Sequence, residues 1–196
     1  MSADRGAADT GVDRRRQLLD RLADVIAEEG IEGVSIRTLA GRAGVSIGTV
    51  QYYFATKSDL LQRVWEFVRD EVERRSDPES LARMPPRQVL SRLVELLVAP
   101  SADDRLARVW LALAARSAHD DEIAQLHRRQ WKHMEGLIAE VLAGIAPARA
   151  DESADAAAEL LGLCDGLTIS VLTEPERMPP ARARRIAYAW TDRWAS

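Results

Sequence analysis

The sequence predicts an all-α fold, in which a three-helix N-terminal domain containing a helix-turn-helix precedes a C-terminal helical bundle. Three observations support this prediction. Apolar residues recur along most of the chain at the 3.6-residue period of a helix, and no stretch alternates convincingly with the period of a strand. Glycine, proline and possible serine or threonine caps separate the helical stretches. With 196 residues, 46% of them hydrophobic, the chain can form a core and one or two small domains.

Composition narrows the class of protein further. No apolar run approaches the roughly 18–20 residues that a membrane span needs, and the polar first ten residues lack the apolar core of a signal peptide. The single cysteine, Cys164, excludes an intrachain disulfide and a cysteine-rich zinc module. We therefore expect a cytoplasmic protein that contacts no membrane and needs no metal or other cofactor.

The N-terminal elements begin with an arm and a long helix. The first dozen residues include Gly6 and Gly11 and have no periodic apolar pattern, so we expect them to be flexible. From Asp13 a helical stripe begins and continues to Gly30, because glycine commonly follows the last turn of a helix. The stripe consists of Leu18, Leu19, Leu22, Val25 and Ile26.

Two short helices follow, and a third, longer helix comes after them. Serines are candidate N-caps for helices over Ser35–Arg42 and Ser46–Tyr53, and Gly44 in the turn between them suits a positive φ. Thr56 and Asp59 have the spacing of a capping box, with aspartate in place of glutamate, at the start of the longer helix.

The second half of the chain is predicted to be helical after a proline-rich bend over Ser76–Pro86. Pro179 and Pro180 can begin the last helix. We place the domain boundary after residue 57, which gives domains over 1–57 and 58–196. The predicted helices of the second half cover Val89–Val98, Arg105–Arg116, Ile123–Ile145, Ser153–Leu172 and Ala181–Trp194.

Short helices joined by a tight glycine-containing turn are typical of the helix-turn-helix, whose second helix enters the major groove of DNA. Gly48 near the start of that helix is unfavourable for helix stability by about 1 kcal/mol, but it would allow a close approach to DNA. Gln51 can pair with adenine, and the methyl group of Thr49 can contact a thymine methyl. The same spacing also fits an all-α protein that binds no nucleic acid.

The distribution of charge favours the nucleic-acid interpretation. The whole chain carries −4, with 27 basic and 31 acidic residues, which taken alone would disfavour a DNA partner. Residues 1–57 are neutral overall, however, and the deficit lies in residues 58–196. The window Gly33–Ser58 contains no Asp or Glu and carries +3 from Arg37, Arg42 and Lys57.

The segment Val34–Leu61, VSIRTLAGRAGVSIGTVQYYFATKSDLL, resembles the DNA-binding domain of the TetR family of transcriptional regulators. The family pattern of Thr, then Tyr-Phe, then Lys is present as Thr49, Tyr53–Phe54 and Lys57. The resemblance covers roughly Arg14 to Leu61 and is highly specific.

The second half resembles the BetI-like subgroup of that family more loosely. The likeness is carried by Leu161–Leu167 and Pro175–Pro180, together with the string Val50-Gln51-Tyr52 in the first half. Many relatives have tyrosine where this chain has Gln51, which would alter the sequence preference at that contact.

The resemblance implies a DNA-binding role for residues of the two short helices and the start of the next. Gln51 would contact a base edge, the tyrosine hydroxyls and Lys57 would hold phosphates, and Arg37 would reach a phosphate or a base. The basic cluster Arg14–Arg16 is either a DNA contact or an ordinary solvated run. The implied DNA-binding residues are Arg37, Ile47, Gly48, Thr49, Gln51, Tyr52, Tyr53 and Lys57, and the implied core residues are Leu39, Val45, Val50 and Phe54.

Family members are typically homodimers, and a two-fold dimer would match a palindromic operator of double-stranded DNA. Stripes of small and apolar residues on the last two helices could form the dimer interface as a four-helix bundle, although an intrachain core explains them nearly as well. The interface candidates are Ala157, Leu161, Cys164, Thr168, Ile186 and Trp190.

The resemblance also implies a small-molecule effector bound in the C-terminal half. The candidate effector-binding residues are Trp65, Trp110, Trp131 and Met134, which could equally be plain core. Aromatic rings with a carboxylate could enclose a quaternary ammonium, but we expect Asp165 to form a hydrogen bond between helices instead. His127 and His133 lie six residues apart, which does not favour a metal site. Cys164 is expected to be a small buried hydrophobe, with a redox sensor as the alternative.

These observations leave three functional hypotheses. The first is a repressor that binds a palindromic operator as a homodimer and is released by a small-molecule effector. The second is a ligand-independent DNA-binding dimer. The third, an enzyme that uses the helical bundle as a pocket, has little support, because no nucleophile–base pair, metal constellation or phosphate loop stands out and no catalytic residue can be named.

Overall fold

The computed structural model describes residues 4–196, with side chains from Asp13 onward, and confirms the all-α prediction, since no strand occurs in this range. Two short 3₁₀ turns, Ile31–Gly33 and Pro147–Glu152, interrupt the α-helices. The α-helices of the described range are α1 (Asp4–Glu29), α2 (Ile36–Ala43), α3 (Ile47–Tyr53), α4 (Lys57–Ser76), α5 (Pro78–Leu81), α6 (Pro86–Leu97), α7 (Arg105–Ser117), α8 (Asp121–Ile145), α9 (Ser153–Thr173) and α10 (Pro180–Trp194).

The first helix begins earlier than the sequence pattern predicts. The backbone is helical from Asp4, whereas we expect a flexible arm over the first dozen residues. Helix propagation explains the difference, because each residue added to an existing helix gains one hydrogen bond, and Gly6 and Gly11 weaken such a helix without ending it. The predicted stop is confirmed at Gly30, which has φ 71° and donates its N–H to the Ile26 carbonyl at 2.9 Å.

The predicted bend over Ser76–Pro86 contains a helical turn of its own. Asp77 has φ 48°, and its side chain accepts a hydrogen bond from the Ser80 N–H while Pro78 occupies the first helical position. Aspartate as N-cap followed by proline is a strong local start signal, and it yields the four-residue α5. Pro86 likewise begins α6 and Pro180 begins α10, the latter as predicted.

The chain divides into two compact units. The first takes in the chain up to Asp70 together with Arg108–Leu126, and the second takes in Glu71–Ala107 and His127–Ser196. The predicted domain boundary after residue 57 falls at the first residue of α4, inside the first unit, and the functional division at that point stays a prediction. The core of the first unit consists of side chains that are almost fully buried, among them Leu18, Leu22, Ile26, Leu39, Val50, Phe54, Leu60 and Leu113.

The second unit is built around α9, whose apolar side chains pack against α6 and α10. Polar contacts fix the ends of this packing. The Thr168 hydroxyl donates to the Leu97 carbonyl at 2.8 Å and accepts from the Ala99 N–H at 3.1 Å, so the end of α6 is fastened to α9. The Trp194 indole donates to the Leu142 carbonyl at 3.2 Å and fastens α10 to α8.

The segment Pro147–Thr173, which includes α9, is long and apolar enough by composition to cross a membrane, whereas the sequence pattern predicts no such stretch. Only 44% of its most apolar window is buried inside the protein. Core helices of water-soluble proteins pass the same test, so this feature alone is not evidence that the helix contacts a membrane. It does leave part of an apolar helix uncovered.

Candidate nucleic-acid interface

The helix-turn-helix is built from two serine caps and one glycine turn, as predicted. The Thr38 N–H donates to Ser35 Oγ at 2.9 Å, and the Thr49 N–H donates to Ser46 Oγ at 3.0 Å. Between the caps, Gly44 adopts the left-handed conformation (φ 65°, ψ 35°), which a side chain would disfavour. These local interactions set the position at which α3 leaves the turn.

One face of α3 lies in the core and the other is open. Val50 and Phe54 are fully buried, as predicted, and so is Leu39 on α2. The fourth predicted core residue, Val45, is only half-buried, because it lies in the turn. The opposite face of α3 exposes Ile47 by 48% and Tyr52 by 83%, and Gly48 and Gln51 are also exposed there.

The remaining predicted contacts on α3 are partly engaged within the protein. Thr49 is half-buried, and its hydroxyl lies 2.9 Å from Ser46 Oγ in a hydrogen bond that reinforces the cap. Tyr53 is half-buried, and its ring packs edge-on against Tyr52 with 5.0 Å between the ring centres. The Tyr53 hydroxyl is therefore carried by a ring that packs against another ring of α3.

Gly48 has no structural requirement for glycine within the chain. Its φ is not positive, and a Cβ placed there would meet only Ser46 Oγ at 3.7 Å, an ordinary contact. Alanine at this position would stabilise the helix. Glycine instead leaves a space on the exposed face of α3 that a side chain would fill. Such space is what close approach to a DNA groove would need.

The charge of the acid-free window is smaller in the folded protein than the sequence implies. Arg42 forms ion pairs with Glu28 at 2.8 Å and Glu29 at 2.5 Å, and these hydrogen bonds, that to Glu29 above all, raise the pKa of its guanidinium. Arg37 and Lys57 are exposed, and neither forms an ion pair with the side chains that the structure describes. Among the described residues, two cations of this window rather than three are therefore without an ion pair.

Lys57 occupies the first position of α4, behind the capping box that the sequence predicts. The Asp59 N–H donates to the Thr56 hydroxyl at 3.1 Å, and the Asp59 carboxylate accepts from the Ala55 N–H at 3.1 Å. In an ideal capping box this carboxylate would accept from the N–H of the N-cap residue, Thr56. Here it accepts from the N–H one residue earlier. One N–H of the first turn of α4 is thus already bonded, and the Lys57 side chain is exposed at the start of this helix.

The arginine cluster at residues 14–16 has no single role in the described structure. Arg14 donates to the Gln17 side chain at 3.1 Å and is half-buried, as is Arg15, whereas Arg16 is exposed. Both interpretations of this cluster, a DNA contact or a solvated run, stay predictions.

The predicted effector residues are divided between the two units. Trp65 and Trp110 belong to the first unit, and Trp131 and Met134 belong to the second. Trp65 is almost fully buried, while the other three are half-buried. A role for these side chains in effector binding stays a prediction.

Trp131 forms a polar contact across α8 and α9. Its indole N–H donates to Asp165 Oδ2 at 2.9 Å, so the expected helix–helix hydrogen bond of Asp165 is confirmed. Burial raises the pKa of Asp165 to about 6, against the opposing effect of this hydrogen bond. His127 stacks on the Trp131 ring at 4.2 Å, and burial lowers the pKa of its imidazole. This stack was not among the predicted contacts, although the four-residue spacing of the two rings on one helix favours it.

Cys164 is fully buried in the core of the second unit, which confirms the prediction of a small buried hydrophobe. Burial raises the pKa of its thiol to about 12, with a smaller contribution from the nearby Asp165 carboxylate. A protonated, inaccessible thiol is a poor redox sensor. Within the residues that the structure describes, no group of three or more metal-ligating side chains is present.

The residues predicted for the dimer interface belong mainly to the core of one protomer, which is the intrachain alternative. Ala157, Leu161, Cys164, Thr168 and Trp190 are buried within the second unit, and Ile186 packs partly against the same core. Their burial fits the intrachain alternative, and a role for these residues in a dimer interface stays a prediction. The exposed face of α9 carries other small and apolar residues, namely Ala158, Gly162, Gly166 and Ile169.

Comparison with known proteins supports the interpretation of both halves. Residues 18–64 match the family model described as bacterial regulatory proteins of the tetR family, and residues 86–195 match the model of the BetI-type transcriptional repressor C-terminal domain. The chain is 30% identical over 176 residues to the HTH-type transcriptional regulator PksA of Bacillus subtilis, covering 88% of this chain and 85% of PksA. It is 32% identical over 160 residues to the regulator BetI of Burkholderia thailandensis, covering 79% of each.

Solved structures agree with these sequence matches. A transcriptional regulator from Rhodococcus superposes with a TM-score of 0.80 at 30% identity, over 91% of this chain and 94% of that protein. A regulator from Saccharomonospora viridis in complex with choline superposes with a TM-score of 0.79 at 25% identity, over 92% of this chain and 96% of that protein. The chain therefore belongs to the TetR family of DNA-binding transcriptional regulators, and its C-terminal half is of the BetI type.

Proposed function

We propose that the chain represses transcription by placing α3 in the major groove of its operator. The observation that carries this proposal is the open face of α3, where Gly48 and Gln51 lie exposed. Arg37 and Lys57 are exposed as well and form no ion pair with side chains from Asp13 onward. Gln51 would contact a base edge, and Ile47 would meet a thymine methyl. Lys57, Arg37, Tyr52 and Tyr53 would hold phosphates and fix the register of the helix.

We further propose that the protein acts in the cytoplasm as a homodimer on a palindromic operator. The partly uncovered apolar α9 supports this, because an exposed apolar helix face is typical of an interaction site. Two copies related by a two-fold axis present two α3 helices in the orientation of a palindrome, with half-sites about one helical turn apart or a multiple of it.

The proposed effector is a small organic molecule that carries a positive charge. Asp165 supports this class although its Oδ2 accepts the Trp131 N–H, because its Oδ1 has no hydrogen bond among the described residues and a carboxylate beside an aromatic ring attracts an ammonium group. The complex of the Saccharomonospora viridis relative with choline supports the same class. Such a ligand shifts the protein between states only if it binds one state more tightly than the other. We expect the ligand to favour the state that is released from DNA.

Of the two other hypotheses, the ligand-independent DNA-binding dimer differs only in lacking an effector. A thermal shift with choline as the probe separates it from the repressor, because a ligand that binds the folded state raises its melting temperature. An enzymatic role has less support, since the single cysteine is buried with a raised thiol pKa and cannot act as a nucleophile.

A quantitative DNA-binding assay tests the repressor proposal. The DNA upstream of the chain's own gene, labelled with a fluorophore, should bind in the presence of excess random DNA and should be released as salt rises from 50 to 300 mM. Choline or another quaternary ammonium should lower the affinity for this DNA. Equal affinity for upstream and random DNA would overturn the proposal of a specific regulator.

A further inference from the structure

The two ends of the α9–α10 pair carry opposite charge. Where α9 begins and α10 ends, a cleft of about 460 Å³ opens to solvent. We call this the acidic cleft, and we define it by four carboxylates and two indole rings: Asp151, Glu152, Asp155, Glu159, Trp190 and Trp194. Two arginines, Arg149 and Arg193, also line it, so its net charge is −2.

The acidic cleft already holds one guanidinium group. Arg149 lies over the Trp194 ring, 4.0 Å from its centre, and forms an ion pair with Glu152 at 2.7 Å. Asp151, Asp155 and Glu159 are exposed, and none of them forms an ion pair with the described side chains. The cleft therefore combines two indole rings with three carboxylates that form no ion pair among the described residues, and Arg193 offsets only one of these charges.

The opposite end of the pair is basic. The first turns of α10 expose Arg182 and Arg185, which form no ion pair with any side chain that the structure describes. Arg182 is held in place because one of its guanidinium nitrogens donates to the Arg177 carbonyl at 2.7 Å. Arg177 itself is paired with Glu174 at 2.5 Å, and the exposed Glu176 offsets one further charge, so the excess positive charge at this end comes from the arginines of α10.

Between the two ends runs the uncovered face of α9. It consists of small residues and one larger apolar residue, Ala158, Gly162, Gly166 and Ile169, and the last of these is 40% exposed. A Cβ placed on Gly162 or Gly166 would meet nothing within 4 Å. A helix from another molecule could thus approach this face closely.

We propose that a second copy of this chain docks antiparallel on this face, so that the acidic cleft of each protomer receives Arg182 and Arg185 of the partner subunit. This inference rests on the proposed homodimer and adds its register. α9 is about 30 Å long, given 1.5 Å per residue, and an antiparallel pair crosses near its middle. A two-fold axis there repeats the charge contact at both ends.

Charge complementarity determines the direction of docking. In the antiparallel arrangement each acidic end meets a basic end, while a parallel arrangement would bring the acidic ends together and the basic ends together. Like charges at an interface are strongly unfavourable, so the same residues that attract in one register reject the other.

Charge reversal at each end tests the proposal. An acid-end variant carries Asp155→Arg and Glu159→Arg, and a base-end variant carries Arg182→Glu and Arg185→Glu. In a homodimer of either variant both charge contacts become repulsive, so the dimer dissociation constant should rise on the order of 10- to 100-fold. When the two variants are mixed, the heterodimer regains attraction at both contacts and should form with close to the original affinity.

Sedimentation velocity measures the dissociation constants, and native mass spectrometry identifies the heterodimer by its mass. A matched control, Arg128→Glu with Arg129→Glu on the exposed surface of α8, should leave the dimer unchanged. Heterodimer formation from two monomeric variants also demonstrates that both are folded, and circular dichroism checks each one alone.

The outcomes separate this inference from the proposed homodimer. A wild-type chain that sediments as a monomer overturns both. A wild-type dimer whose dissociation constant stays within about threefold in both end variants overturns the antiparallel register but retains the homodimer. Weakened variants that fail to form a heterodimer also overturn the register.

Discussion

Gly48 is a residue whose presence the folded protein does not itself require. A Cβ would meet only an ordinary contact, so Gly48→Ala should stabilise the protein by about 0.5–1 kcal/mol through its effect on the helix. The same methyl group would occupy the space between α3 and the DNA. We therefore expect operator affinity to fall at least tenfold, measured by fluorescence anisotropy beside chemical denaturation.

A second glycine provides the comparison for this prediction. Gly136 on α8 is also helical, exposed and without close neighbours, and it lies far along the sequence from the helix-turn-helix. Gly136→Ala should leave operator affinity unaltered. If Gly48→Ala keeps full operator affinity, the close approach of α3 to DNA is wrong.

Lys57 and Gln51 should contribute to DNA binding in different ways. Lys57→Ala removes a phosphate contact, so binding to operator and random DNA should weaken alike and the salt dependence should become shallower by about one ion. Gln51→Ala removes a base contact, so operator affinity should fall by about 1–3 kcal/mol while random DNA binds as before. Competition titrations on both DNAs distinguish the two effects.

Arg42 supplies the control for these substitutions. Its guanidinium is held by Glu28 and Glu29 and faces α1, so Arg42→Gln should change DNA affinity less than Lys57→Ala does. Equal losses would mean that the acid-free window acts as a continuous basic patch. A uniform loss at Gln51 for every operator would rule out its base contact.

At the scale of the elements, the contact between α8 and α9 gives the second unit a pH dependence. The carboxyl of Asp165 has a pKa of about 6 in the folded protein, raised by burial from a normal value of 3.8. The folded state therefore binds more protons than the unfolded state between pH 4 and 6, and its stability should fall as pH rises through this window. Above pH 6 the loss stays constant.

Asp165→Asn should remove this dependence. Asparagine keeps the shape and can still accept the Trp131 N–H, so the variant should be more stable than the wild type at pH 7 by about 1–3 kcal/mol and similar to it at pH 4. Urea denaturation at both pH values gives the comparison. Asp192→Asn on the exposed face of α10 serves as control, and an unchanged pH profile in Asp165→Asn would show that another group titrates.

Which elements the sequence could predict depends on how local their determinants are. Serine caps and glycine stops act within four residues, so α2, α3 and the end of α1 were predictable. The start of α5 was not predictable in this way, because Asp77 and Pro78 fit a bend equally well. The face of α9 that meets its own core could not be predicted either, because this helix is apolar almost all around and periodicity alone does not distinguish its sides.

The candidate site follows the same rule. The face of α3 could be predicted, since burial of Val50 and Phe54 fixes which side chains point outward. The ion pairs of Arg42 could not be predicted, because Glu28 and Glu29 lie 13 or more residues away in sequence and only folding brings them near. The four large effector candidates share no such local pattern, and composition alone says nothing of which of them lie together.

At the scale of the whole molecule, the net charge of −4 resides in the part of the chain after residue 57. This excess should repel DNA that approaches without the specific contacts of α3. A variant with Glu140→Gln, Glu176→Gln and Asp192→Asn should bind random DNA about two- to threefold more tightly at low salt. The difference should vanish at 0.5 M salt, and a variant that behaves as the wild type at low salt would contradict the repulsion.

The reactivity of the buried Cys164 thiol measures how often the second unit opens. With its thiol fully enclosed and its pKa at about 12, a maleimide or Ellman's reagent reaches the sulfur only when the surrounding helices separate. The labelling rate then equals the intrinsic thiol rate multiplied by the open fraction. If an effector slows the labelling, the ratio of the rates without and with it gives the free energy with which it binds the closed form. This measurement needs no DNA, dye or engineered cysteine.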